Sequence, residues 1–209
     1  MLTGPKPVIY AHRGDWLFSG TIPNSLDALN MAIDSKFGIE TDFRMDEVGL
    51  SLGHDNLDIE LREAIPLLAH GSCPLALNIK QDGLSGEIAK AFDFSRKCNS
   101  FVFDCSIPEA IKYRNLNIPI ALRLSEFERT LPWNSDFVWL DAFYSDWWME
   151  DNYAIELMKM NKVIVVSPEL HNREHKYVWD WLIAKYKEHD FQFGICTDFP
   201  HDFEKLLDV

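Results

Sequence analysis

The sequence predicts a closed (β/α)8 barrel. Strand-like and helix-like segments alternate from end to end, and the strand-like segments stop on polar, mostly charged residues. Eight segments dense in Val, Ile, Leu and Phe, each followed by turn residues and a helix-period stretch, have strand character. They are Val8 to His12, Gly38 to Arg44, Leu75 to Lys80, Phe101 to Cys105, Ile120 to Leu124, Phe137 to Phe143, Val163 to Val166 and Phe193 to Thr197. Between them, apolar residues three or four apart, as at Ile88, Ala91 and Phe92, predict helices. These cover Asn24 to Ser35, Ile59 to Ala69, Ser85 to Ser95, Pro108 to Arg114, Ser125 to Thr130, Asp151 to Met160, Arg173 to His189 and Asp202 to Leu207. Connections too long for hairpins require parallel strands and right-handed crossovers, and eight such units close into a barrel. With 209 residues it is a small one, near the lower bound of about 200. An open doubly wound sheet typically carries a Gly-rich phosphate turn after its first strand, and Ala11-His12-Arg13-Gly14 lacks that spacing. No linker, repeat or low-complexity segment divides the chain, so residues 1–209 are expected to form a single domain.

Composition narrows the partners. Apolar side chains make up 47% and charged ones 25%, the balance of a packed globular protein rather than a disordered one. A chain of this size hides roughly 70% of its unfolded surface without needing disulfides. The net charge of −13 repels polyanions, so no nucleic-acid partner is expected. No apolar run approaches the roughly 20 residues that span a bilayer, and no secretory leader is evident at Met1 to Pro7. Cys73, Cys98, Cys105 and Cys196 show no zinc spacing and read as core fillers in a reducing compartment, so the expected location is the cytoplasm. A monomer or homodimer is expected.

In a (β/α)8 barrel chemistry gathers at the carboxyl ends of the strands. The first strand here ends in His12-Arg13, the second carries Glu40, Asp42 and Arg44, the third ends in Asn78-Ile79-Lys80 and the fourth at Asp104. Arg123, Asp141, Glu169 and Asp198 follow on later strands, and hydrogen bonding to the site is the expected role of the first three. Side chains two apart share a face, so Glu40 projects with Asp42, and Asn78 with Lys80. Two carboxylates and an amide oxygen converging on one mouth suit a hard cation, Mg²⁺ or Ca²⁺. His12 and His54 supply imidazoles able to act as acid and base near neutral pH. Arg13 and Lys80 can neutralise phosphate oxygens. Together these residues point to a metal-assisted hydrolase or lyase acting on a small anionic ester, a phosphodiester. Trp147 and Trp148 form either an apolar lip for substrate or packing beneath a loop.

These residues resemble the glycerophosphodiester phosphodiesterase family. Ala11-His12-Arg13-Gly14 matches its HRG, Glu40-Thr41-Asp42 its ExD pair, Gly53-His54-Asp55 its HD element, and Thr197-Asp198-Phe199-Pro200 the end of its eighth strand. The resemblance covers nearly the whole chain. It implies cleavage of glycerophosphodiesters to an alcohol and glycerol 3-phosphate, a divalent cation held by carboxylates, and His12 and His54 as acid and base. Inositol or sugar phosphodiesters cleaved by a lyase step, or a catalytically weakened relative that binds a phosphorylated ligand, are the alternatives.

Two departures qualify the match. Where the family has PENT, this chain has Ile22-Pro23-Asn24-Ser25, so the Glu is replaced by Pro23. Where the family offers a third carboxylate two residues before Lys80, this chain has Asn78. A neutral amide attracts a divalent cation less strongly than a carboxylate. Asn78→Glu is therefore expected to bind Mg²⁺ or Ca²⁺ more tightly than the native chain in calorimetry; equal or weaker binding would remove position 78 from the ligand set.

Overall fold

A computed structural model describes residues 6–54, 62–189 and 191–208. Eight parallel strands form a nearly closed barrel: β1 Val8–His12, β2 Gly38–Met45, β4 Leu75–Ile79, β5 Phe101–Phe103, β6 Ala121–Leu124, β7 Phe137–Leu140, β8 Val163–Val166 and β9 Phe193–Thr197. The sheet runs β5-β4-β2-β1-β9-β8-β7-β6. Its ends meet through one bridge, Val102 to Ile120, with Val102 N–H donating to Pro119 O at 3.0 Å. The helices are α1 Trp16–Ser19, α2 Leu26–Asp34, α3 Ala64–His70, α4 Ser85–Ala91, α5 Ile107–Asn115, α6 Tyr153–Met160, α7 Lys176–Glu188 and α8 Pro200–Leu207. Among the described residues, no helix is long and apolar enough to cross a membrane.

Alternation along the strands sorts side chains into two cores. Outward residues such as Ile39, Leu77, Val138 and Ile195 pack with Leu29, Phe203 and Leu182 of the helix layer. Inward residues Tyr10, Phe101, Phe103, Phe137, Trp139 and Ile164 fill the barrel. Tyr10 spans that interior and donates its hydroxyl to Asn99 O at 2.5 Å. Its ring is accommodated by missing side chains on both flanking strands. A Cβ at Gly38 would stand 2.8 Å from Tyr10 Cδ1, and one at Gly194 would stand 3.3 Å from Tyr10 Cε2.

Residues 45–52 form a hairpin outside the expected strands: β3 (Leu50–Leu52) runs antiparallel to β2. Asp46 supports the tip by accepting Val48 N–H at 2.8 Å. The expected helix from Ser125 to Thr130 is an irregular loop. The Ser125 hydroxyl accepts the N–H groups of Phe127 and Glu128, both at 3.2 Å, a capped turn that no helix follows. The predicted helix from Ile59 begins outside the described residues, and α3 starts at Ala64. Trp147 and Trp148 are buried, so they pack rather than form a lip. Cys98 is exposed, against the expectation that all four cysteines fill the core.

Glu126 fastens the irregular loop to the segment after β7. Its carboxylate accepts Phe143 N–H at 3.0 Å, Tyr144 N–H at 2.9 Å and Ser145 N–H at 3.0 Å. Burial pushes this carboxyl up, but the N–H groups of Tyr144, Ser145 and Phe143 outweigh it and bring the pKa down to about 2. A pKa depressed in the fold contributes stability above the unfolded value, lost as pH falls through the folded one. Glu126→Gln should thus cost on the order of 1 kcal/mol near neutral pH. The gap in thermal unfolding should close as pH drops from about 4.5 towards about 2, whereas a pH-independent gap would refute the charged clamp.

Candidate active site

The carboxyl ends of β1, β2 and β4 build the densest polar cluster of the mouth. Pairing register sets side chains of neighbouring strands at one level: His12 stands beside Glu40, and Asp42 beside Asn78. Glu40, Asp42 and Asn78 are buried, so their polar atoms need partners from the protein or from a ligand.

Asp42 is the most heavily partnered. Arg13 Nε lies 3.2 Å from one carboxylate oxygen and Lys80 Nζ lies 3.1 Å from the other. Asn24 Nδ2 adds a hydrogen bond at 3.0 Å, while Asn24 Oδ1 accepts the Thr41 hydroxyl at 2.7 Å. Asn24 is the residue that sequence reading missed, although it sits in the segment aligned with PENT. It takes a left-handed conformation, φ 61°, which asparagine tolerates better than most residues. Ser25 then caps α2 by accepting Ala28 N–H. Gly14, at φ 82°, completes the same bend: a Cβ there would lie 2.7 Å from the carbonyl carbon of Ala28. The HRG glycine is therefore a packing requirement of the first turn.

His12 is oriented from both sides. Its Nδ1 lies 2.8 Å from Asp198 Oδ1, and its Nε2 lies 3.9 Å from Glu40 Oε2. Asp198 also accepts the Trp16 indole N–H at 3.3 Å. Burial pushes the imidazole pKa down, but the Asp198 hydrogen bond and the Glu40 charge outweigh it, leaving the pKa raised. Burial and the Asp42 charge push Glu40 up to about 7, against the pull of His12, Arg13 and Lys80. Behind Asp198, Glu169 accepts the Thr197 hydroxyl at 2.5 Å and Asp198 N–H at 3.2 Å. This row from Glu169 through the 197–198 backbone to His12 joins residues too far apart in sequence for spacing to predict.

His54 is tied to the same end of β2 through its backbone. Arg44 donates from Nε and Nη2 to His54 O at 2.9 and 2.7 Å, and Gly53 N–H donates to Asp42 O at 3.0 Å. Arg44 thus supports the HD segment and leaves Asp42 to Arg13 and Lys80. Asp55, the other half of that element, lies outside the described residues. Across the mouth, Arg123 pairs with Asp104 and lies 3.7 Å from Asp141 Oδ2; His171 Nε2 lies 2.7 Å from Asp141 Oδ1. His201 pairs with Asp15 at 2.7 Å and is half-buried.

The donors suit a weakly held hard cation. Asn78 Oδ1 is buried without a hydrogen-bond partner, and Glu40 is a carboxyl that burial leaves reluctant to ionise, both of which a cation would relieve. Asp42 is already neutralised by two cationic side chains, and a metal would have to share it. Among the described residues, no three His, Cys, Asp or Glu side chains gather as a ligand group. The available set is therefore two carboxylates and an amide oxygen.

No protein-family model and no curated protein sequence matches the chain. In fold it is similar to the crystal structure of a candidate glycerophosphodiester phosphodiesterase from Galdieria sulphuraria, at TM-score 0.71 and 14% identity, covering 99% of this chain and 100% of that one. A glycerophosphodiester phosphodiesterase from Agrobacterium tumefaciens gives 0.68 at 14% identity, over 98% and 100% of the two chains. The tryptophan synthase A-subunit from Pyrococcus furiosus shares the architecture at 0.54 and 14% identity, over 99% and 96%. At these identities the likeness establishes the barrel, with the phosphodiesterase structures nearer in shape than the synthase.

Asp198→Asn keeps the shape of the His12 partner and removes its charge. The His12 pKa, followed through its ring protons by NMR, should move down in this variant. An unchanged value would mean that Asp198 does not set it.

Proposed function

We propose that this barrel is a phosphodiesterase that cleaves glycerophosphodiester-type substrates to an alcohol and glycerol 3-phosphate, with His12 and His54 as acid and base. The observation that carries the reading is the mouth cluster itself, in which His12, Glu40, Asp42 and Asn78 stand in register with Arg13 and Lys80 around them. The likeness to two structures named as glycerophosphodiester phosphodiesterases supports it.

Arg13 and Lys80 bind and orient the phosphate oxygens. One imidazole takes the proton of the substrate hydroxyl next to the phosphate as that oxygen attacks phosphorus. The bond to the leaving alcohol breaks, and the other imidazole returns a proton to the departing oxygen. Water opens the resulting cyclic phosphate with the two roles exchanged. Because Nδ1 of His12 is engaged by Asp198, Nε2 is the atom that exchanges protons in this scheme. Glu40, Asp42 and Asn78 would hold Mg²⁺ or Ca²⁺, and when bound this cation offsets negative charge developing on the phosphate.

One observation favours a second reading. Asp42 is balanced by Arg13, Lys80 and Asn24 within the protein, an arrangement that also suits a relative that only binds phosphorylated ligands.

The two readings separate in one assay, phosphorus NMR of purified protein with glycerophosphodiesters and inositol phosphodiesters, in EDTA and in added Mg²⁺, Ca²⁺ or Mn²⁺. Metal-dependent release of glycerol 3-phosphate is expected, reduced about 10²- to 10⁴-fold in His12→Ala and in His54→Ala. A cyclic ester as final product would make the protein a lyase. Ligand-induced thermal protection without turnover would leave the binding reading.

A further inference from the structure

The barrel wall is weakest between β5 and β6, and a cavity of about 690 Å³ opens there beside the polar cluster. Among the described residues the two strands share only the Val102–Ile120 bridge. β5 ends at Phe103, and Asp104 turns the chain aside in a left-handed conformation, φ 61°. Above the seam stands the irregular β6–β7 loop, held by Ser125 and Glu126, where a crossover helix was expected. The cavity is lined at one end by Asn78 and Lys80 and at the other by Asp104, Arg123, Glu128 and Thr130. Its volume lies within the roughly 300–1,000 Å³ of small-molecule sites.

We propose that this cavity is the subsite for a polyol esterified to the phosphate, so that the preferred substrates are diesters whose alcohol is a cyclitol or sugar. The proposal rests on the phosphodiesterase reading for the placement of phosphate at Lys80, and it extends that reading to the leaving group.

The chemistry of the far end selects the class. Arg123 is fixed before any ligand arrives: it pairs with Asp104, lies 3.9 Å from Glu128 and 3.7 Å from Asp141, and covers the Phe143 ring at 5.5 Å. A guanidinium only donates, a carboxylate only accepts, and the Thr130 hydroxyl does both. Donors and acceptors therefore line the same cavity. Polyol hydroxyls donate and accept together, so neighbouring hydroxyls find partners of both kinds. A second phosphate would meet Asp104 and Glu128, and a primary ammonium, drawn by the same two carboxylates but held off by Arg123, is the competing head group. Among the described residues no aromatic side chain lines the cavity, so a quaternary ammonium lacks the ring faces that bind it.

The test is calorimetric binding of myo-inositol 1-phosphate, phosphocholine and phosphoethanolamine to the full chain, with phosphorus NMR turnover of the corresponding glycerophosphodiesters alongside. Inositol phosphate is expected to bind at least tenfold more tightly than either amine ester. Glu128→Gln and Thr130→Val, neither of which removes the Arg123–Asp104 pair, should each shrink that ratio at least threefold. Equal affinities, preference for phosphoethanolamine, an unchanged ratio in both variants, or no binding of any probe would overturn the subsite. Selective binding without turnover would keep the subsite and remove the hydrolase reading, whereas turnover without preference would do the reverse.

Discussion

A carboxylate buried at the mouth of a barrel must be neutralised, and the arrangement of β1, β2 and β4 follows from how Asp42 is. An ionised side chain in that position costs several kcal/mol unless partners replace its water. Its partners come from separate elements: Arg13 beyond β1, Asn24 before α2, and Lys80 beyond β4. Arg13 and Asn24 both adopt left-handed backbone conformations, φ 57° and 61°, each costing on the order of 1 kcal/mol or more outside glycine. That strain persists because the ion pair and the amide bond hold it. The loop after β1 is thereby drawn over the mouth, which sets Arg13 N–H against Glu40 Oε2 at 3.2 Å.

The rest of the barrel is organised around this half. On the β1–β2–β4 side, register is continuous over three to five residue pairs per interface, and Tyr10 fills the interior between Gly38 and Gly194. On the β5–β6 side a single bridge completes the wall. Rigid positioning and open volume are thus separated: one side fixes charged groups in register, and the other leaves room beside them. Glu126 and Ser125 keep the open side ordered by accepting backbone N–H groups of residues 143–145 and of Phe127 and Glu128.

The strands were legible because their information is local. Val8–His12, Val163–Val166 and Phe193–Thr197 match the expected bounds, since runs of β-branched and apolar residues between turns encode a buried parallel strand directly. The β2–β3 hairpin was missed because Glu47-Val48-Gly49 breaks an alternation that resumes for only three residues. The helix expected at Ser125 failed because Glu126 is bound to the backbone at 143–145, a contact with no local signature. His12, Glu40 and Asp42 were visible from strand ends and spacing. The Asp198 contact to His12 spans 186 positions, and the one from His201 to Asp15 spans the same distance, so only the closed barrel brings them together.

Charge at the mouth gives the Asn78 substitution a physical logic. The carboxyl groups of Glu40, Asp42 and Asp198 face Arg13, Lys80 and His12, so cationic partners offset acidic ones within the cluster. Arg13 and Lys80 lower the repulsion that a phosphodiester monoanion meets there. A third carboxylate at position 78 would tip the balance negative and make entry of an anion depend on a bound cation. With an amide there, the attraction for a cation falls and so does the repulsion of the substrate. Lys80 and Arg13 can then serve in turn as partners of Asp42 and of the phosphate, because the geometry that neutralises the buried carboxylate already holds both cations at the mouth.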